Sequence, residues 1–201
     1  MFRYDIFKTT CCYEHRAYES IFGRGMQMSG STALLVIDVQ EGMFVPEYPV
    51  FDGEALLDKI QGLITGARSS GVPVVYIQHN EEPGEQLEPN SFAWQIQSRI
   101  APAEGEIIVQ KITPDGFHET DLQEKLESLG VQRLIVSGIQ TDMCVEATSK
   151  RAGQLGYDVV VVEDAHTTYD QGSKTAREII EEYNGMFRDF AKVQPAASIE
   201  F

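Results

Sequence analysis

A mostly parallel α/β sheet is the fold class that this 201-residue sequence predicts, and three observations predict it. Short apolar runs recur along the chain without the polar alternation of a half-exposed strand, which is how strands buried on both faces read. Stretches with a helical period of about 3.6 residues separate them. Three of those stretches stop at Gly71, Gly130 and Gly156, glycine being the residue that most readily ends a helix. Strands alternating with helices in this way build right-handed βαβ units.

The elements follow in order from residue 33. Ala33 to Ile37 is a continuous apolar run ending at Asp38 and reads as the first strand. Leu56, Ile60, Leu63, Ile64 and Ala67 stripe a helix over 54–70. Val72 to Ile77 is the second strand. Residues 80–92, rich in Glu, Pro, Gly and Asn, read as a loop, with a short helix at 93–100. Ile107 to Val109 is a brief third strand, and Leu122, Leu126 and Leu129 mark a helix after it. Val131 to Val136 is the fourth strand, 141–155 a helix, and Tyr157 to Val162 the fifth strand. Ala176, Ile179, Ile180 and Tyr183 stripe the last helix, and Phe190 to Val193 is the sixth strand.

Residues 1–30 read differently. They hold four basic and three acidic residues, show no sustained periodicity, and lack the apolar stretch of a signal peptide. Asp5, Glu14 and Glu19 argue against a transit peptide. They are expected to be a poorly ordered extension, with the folded domain at 31–201.

Composition bounds the function. Hydrophobic residues make up 42% and charged residues 23%, as in an ordinary globular protein. With 16 Lys and Arg against 31 Asp and Glu, the net charge is -15. A protein that negative repels phosphate backbones and anionic lipid, so nucleic acid and membrane are excluded as partners and a small-molecule substrate is expected. The cysteines are Cys11, Cys12 and Cys144. Three, two of them adjacent, form no disulfide framework, which points to a reducing, cytoplasmic compartment.

In an open parallel sheet, ligands bind beyond the carboxyl ends of the strands. Asp38 follows the first strand there, Gln78, His79 and Asn80 the second, Lys111 the third, Gly138 to Thr141 the fourth, and Glu163 and Asp164 the fifth. Cys144 sits in the first helical turn beyond the fourth strand, with Thr141 as the expected N-cap. Unpaired N–H groups at a helix start favour the thiolate, and a neighbouring Lys would favour it further. By position alone, Cys144 reads equally as a small buried apolar residue. Asp38 reads equally as a loop residue, and Lys111 as a solvated one. Together the three can supply a nucleophile, a base and a cation on one rim. His166, in the loop expected after the fifth strand, offers a Cys–His pair without an Asn orienter. No G-x-S-x-G elbow exists, and Asp38-Val39-Gln40-Glu41-Gly42 stands where G-x-G-x-x-G would bind a dinucleotide.

Three segments carry a resemblance. Ala33 to Gln40, Val109-Gln110-Lys111 with Phe117, Thr120 and Leu122, and Gly138 to Val145 with Thr148, Ala152, Gly156 and Tyr157 resemble the isochorismatase-like hydrolases in their cysteine hydrolase branch. The resemblance covers residues 33 to about 194 in order and spacing. It implies a Rossmann-like sandwich: six parallel strands in the order 3-2-1-4-5-6, with helices on both faces. It implies a triad of Asp38, Lys111 and Cys144, an oxyanion hole from the backbone N–H groups of Gln140 and Cys144, and a cis peptide between Ile139 and Gln140. It implies an acyl-enzyme mechanism on the C–N bond of a small amide, ureide or carbamoyl compound, and a homo-oligomer (dimer or tetramer). Aromatics near Phe44, Trp94 and Phe117 would line the substrate pocket, and His79 would either contact substrate or cap its strand. The Asp-x-His metal pattern of nicotinamidases is missing after the second strand, so no metal or other cofactor is expected. The presence of Cys144 favours amide chemistry over the vinyl-ether cleavage of true isochorismatases. The alternatives are an isochorismatase-type hydrolase of another small metabolite and an idle binding or scaffold member of the same fold.

Overall fold

The structure, a computed structural model, describes residues 31–201. The proposed extension at 1–30, with Cys11 and Cys12, lies outside the described residues. Six strands form one sheet: β1 (Ser31–Ile37), β2 (Val74–His79), β3 (Ile107–Lys111), β4 (Val131–Ile139), β5 (Asp158–Thr167) and β6 (Lys192–Gln194). Every pair is parallel, and the order is β3-β2-β1-β4-β5-β6, as the resemblance implied.

The helices are α1 (Gly53–Ser69), α2 (Leu122–Ser128), α3 (Glu146–Gln154) and α4 (Ala176–Phe187). Leu56, Leu57, Ile60, Leu63, Ile64 and Ala67 of α1 pack on one face of the sheet against Leu34, Val36, Val74, Tyr76, Ile135 and Val160. Leu122 and Leu126 of α2, Ala152 of α3 and Phe187 of α4 pack on the other face against Leu35, Ile37, Val75, Ile77, Val136 and Val161. Alternate residues of β1, β2, β4 and β5 therefore enter opposite cores, which explains why these strands read as unbroken apolar runs. Among the described residues, no helix is long and apolar enough to cross a membrane.

Several boundaries differ from the sequence expectation, and two of them shape the rim of the sheet. β5 continues to Thr167, so Glu163, Asp164 and His166 lie inside a strand and not in a loop beyond it. Pairing lapses after Val136 and resumes at Gly138–His166 and Ile139–Thr167. The charges that made the segment look like a loop are met by partners: Asp164 lies 2.8 Å from Lys59 of α1 and accepts from the Ala196 N–H at 2.7 Å. The second difference lies beyond β4. A five-residue π turn, Thr141–Val145, precedes α3, and Gln140 holds the cap position without a side-chain cap. Thr141 does not cap. Its hydroxyl is 2.9 Å from Nδ1 of buried His166, whose need for a partner outweighs a local cap. The helix expected at 93–100 reduces to a single 3₁₀ turn, Ser98–Ile100.

The chain reverses its direction of growth between β1 and β4, the adjacent strands from which the sheet extends both ways, and a ligand crevice opens at such a switch point. Gly138 sits there at φ +135°, where a Cβ would stand 2.1 Å from the Ile37 carbonyl oxygen. The two strand ends meet because that position has no side chain. Gly138→Ala is therefore expected to cost about 2 kcal/mol or more, lowering Tm by roughly 4 to 8 °C in a domain of this size. Gly62→Ala, inside α1 with nothing within 4 Å of the new methyl, should instead gain about 0.5–1 kcal/mol. Calorimetry on the two variants checks both signs.

Candidate active site

Three strand ends deliver the site. Asp38 follows β1 with φ at +51°, a left-handed position that Asp tolerates better than most residues, and it is buried. Lys111 ends β3, two strand spacings or about 10 Å from β1. Its side chain crosses the end of β2 and places Nζ 2.6 Å from Asp38 Oδ2, with both side chains shut from solvent. Cys144 enters from the π turn, with Sγ 3.3 Å from the same Nζ. His79, the register partner of Lys111, contributes Nδ1 at 3.2 Å. The ammonium is thus shared by a carboxylate, a sulfur and an imidazole. Among the described residues, neither Asp38 oxygen engages in another hydrogen bond, which leaves lone pairs beside the thiol.

The electrostatics correct one expectation. The helix start and Lys111 were expected to favour the thiolate. Burial pushes the Cys144 thiol up to about 12, the Asp38 carboxylate adds to it, and Lys111 only partly opposes them. The resting sulfur is protonated, because desolvation of an anion outweighs one cation already committed to a carboxylate. For Lys111, burial alone would favour the neutral amine, but Asp38 and the sulfur hold it above the usual lysine range. His79 is held below the usual histidine range by burial and by the Lys111 charge.

The turn that carries Cys144 is fastened at several points. The Ile139–Gln140 peptide is cis. Gln140 caps this turn and Cys144 lies within it, and the Gln140 carbonyl accepts from the Met143 and Val145 N–H groups. The Thr168 hydroxyl donates to Asp142 Oδ1 and the Gln171 amide to Asp142 Oδ2, each at 2.6 Å, which ties the loop after β5 to the turn. His166 binds Thr141 on one side and Asn184 Oδ1 at 3.0 Å on the other. Both its nitrogens are occupied, so it orders the turn and offers Cys144 no base.

A cavity of about 280 Å³ opens on Asp38, Cys144, His79 and Gln140. Met43, Leu87, Ile112, Pro114 and Met143 supply its apolar wall, and Glu81 adds a carboxylate. Ile112 is 69% exposed and Met143 45%, so the mouth is open and greasy. None of the three aromatics expected there is among the residues that line this cavity. Phe117 packs in the core on the α2 side and stacks on Tyr157 at 6.0 Å. Phe44 packs into the core on the α1 side, against Gly53. Trp94 is held by its indole N–H donating to Asn80 at 2.7 Å, while its carbonyl accepts from Gln40 and Gln78. Sequence reasoning missed Ile112 and Met143, whose only signal was direct adjacency to Lys111 and Cys144. A second cavity of about 220 Å³, between α1, β5 and α4, is lined by Phe51, Arg177 and Glu163 and reaches no nucleophile. Among the described residues, no group of three or more His, Cys, Asp or Glu is placed to hold a metal ion.

Two outcomes follow from this electrostatics. Removing one partner strands the other charge in the interior, so Lys111→Met should cost about 3–5 kcal/mol, and Asp38→Asn combined with Lys111→Met should recover most of that loss; urea unfolding reads both. In the free protein, Cys144 should alkylate slowly at mildly alkaline pH, faster as pH rises toward about 12. Lys111→Met removes a charge that lowers the thiol and should slow alkylation further. Iodoacetamide labelling followed by mass spectrometry reads both rates.

Known proteins place this fold. Residues 32–194 match the isochorismatase domain family. The chain is 38% identical over 138 residues to a streptothricin hydrolase of Streptomyces noursei, covering 69% of this chain and 50% of that protein. It thus spans about half the length of the streptothricin hydrolases it matches. It is 25% identical over 185 residues to the ureidoacrylate amidohydrolase RutB of Pseudomonas syringae, covering 74% of this chain and 75% of that one. Among solved structures, an isochorismatase from Pseudomonas putida superimposes with a TM-score of 0.80 at 32% identity, covering 84% of this chain and 89% of the other. With the parallel sheet, its strand order and the matched span in agreement, the chain belongs to the isochorismatase family.

Proposed function

We propose that this chain is a cysteine amidohydrolase that cleaves the C–N bond of a small amide or ureide in a reducing cytoplasm. The observation that carries the reading is the single Lys111 ammonium in contact with both Asp38 and Cys144. The names of two relatives, a streptothricin hydrolase and a ureidoacrylate amidohydrolase, support the bond type.

The chemistry starts from a protonated thiol. As Sγ attacks the carbonyl carbon, Asp38 takes the thiol proton, and Lys111 stays in contact with both the sulfur and the carboxyl group. The carbonyl π pair moves to oxygen, which the backbone N–H groups of Gln140 and Cys144 receive; such donors are worth about 10²–10³-fold each. Collapse expels the amine, which takes the proton back from Asp38. Water then attacks the acyl carbon while giving a proton to Asp38. The acid leaves and the proton returns to sulfur. Asp38 and Glu81 both face the cavity, in a chain of net charge -15, so neutral or cationic substrates are admitted and polyanions refused. A volume near 280 Å³ suits a small metabolite or one ring of a larger one.

An ammonia-release and acid-product screen over lactams, ureides and carbamoylated amines tests the proposal. The expected result is turnover of at least one class, lost by on the order of 10⁵-fold or more in Cys144→Ala with the fold retained. A mass increment on Cys144 equal to the acyl group is expected on quenching. Undiminished turnover in Cys144→Ala overturns the mechanism.

A further inference from the structure

The contacts of Lys111 fix the protonation of a neighbour that the mechanism does not use. A lysine ammonium has three N–H donors and no lone pair. Here the three are matched by Asp38 Oδ2 at 2.6 Å, His79 Nδ1 at 3.2 Å and Cys144 Sγ at 3.3 Å. His79 Nδ1 must therefore present its lone pair, and the proton of the neutral ring sits on Nε2. Burial and the Lys111 charge keep the ring neutral. Its backbone is held as firmly as its ring. The His79 N–H donates to Gln40 Oε1 at 2.9 Å, the His79 carbonyl accepts from Gln40 Nε2 at 3.0 Å, and Gln40 is itself fully buried. Among the described residues, Nε2 has no hydrogen-bond partner, and His79 lines the cavity that holds Cys144.

We propose that His79 is a specificity-determining residue whose Nε2–H donates to a second oxygen acceptor of the substrate, one beyond the carbonyl that is cleaved. The site then selects cyclic ureides, lactams or amides bearing a further carbonyl or hydroxyl oxygen over those with a single carbonyl. A donor locked in one tautomer rejects an N–H or ammonium group at that position, because neither could accept from it. This rests on the reading of Cys144 as the nucleophile, and the test separates the two.

The first measurement needs no turnover. A long-range proton–nitrogen correlation spectrum of the free protein at neutral pH should show His79 with Nε2 protonated and Nδ1 bare. A ring protonated on Nδ1, or on both nitrogens, overturns the proposal. The second uses Cys144→Ala protein titrated with hydantoin, a cyclic ureide with two carbonyl oxygens, and pyrrolidone, a lactam with one. Hydantoin should bind about tenfold tighter and shift the His79 Nε2 signal. The preference should vanish in His79→Leu on that background and return in His79→Gln, whose amide N–H stands near the place of Nε2. A preference that survives in His79→Leu, or no preference at all, overturns the proposal. If Cys144→Ala retains turnover while the preference depends on His79, the nucleophile assignment fails and the recognition role stands.

Discussion

One buried ion pair organises this molecule. Asp38 and Lys111 meet at 2.6 Å with side chains shut from solvent, where an unpaired charge would cost several kcal/mol. Each needs the other, and they arrive from strands that are not neighbours in the sheet. The pair therefore holds β3 to β1 across β2, and its burial requires the strand ends to be brought into line. The absence of a side chain at Gly138, the clamp of Gln40 on β2 and the fastening of the π turn all serve that alignment. Whatever reacts in the cleft reacts beside a charge balance that was set when the sheet formed.

The same balance explains a thiol that is protonated at rest. A cysteine left as a free anion would react with any electrophile that reached it. Here the Lys111 cation is offset by Asp38 before the sulfur draws on it, so burial decides and the proton stays. Under the proposed mechanism the proton would move to Asp38 only as the sulfur bonds to carbon, which would tie reactivity to an occupied cleft at the expense of a smaller thiolate fraction.

Much of the fold was legible because its cause is one-dimensional. A strand sandwiched between two cores must be apolar at every position, and β1 and β2 announce themselves in the sequence for that reason. β5 was cut short at Val162 because Glu163 and Asp164 resemble a strand end. Only the fold shows that Lys59 and the Ala196 N–H meet Asp164 inside the strand. The convergence of Asp38, Lys111 and Cys144 was legible from charges and a thiol stationed just past apolar strands. The cavity wall was not. Aromatic identity drew attention to Phe44, Trp94 and Phe117, yet their direction is set by Gly53, Asn80 and Tyr157, contacts between distant segments. The protonation of Cys144 was hidden for the same reason, since desolvation depends on everything packed around the sulfur.

The cavity draws its parts from two kinds of segment. Asp38, Lys111 and Cys144 stand on strand ends and a braced turn, whereas Met43, Leu87 and Pro114 come from stretches that hold none of the three. The 80–106 segment in particular joins β2 to β3 without adding a strand to the sheet. Such a division lets variation, natural or in a designed library, remodel the wall one loop at a time while the charge balance stays untouched. A family built this way can spread over many small substrates by drift in its connecting segments, keeping a single chemical engine beneath them.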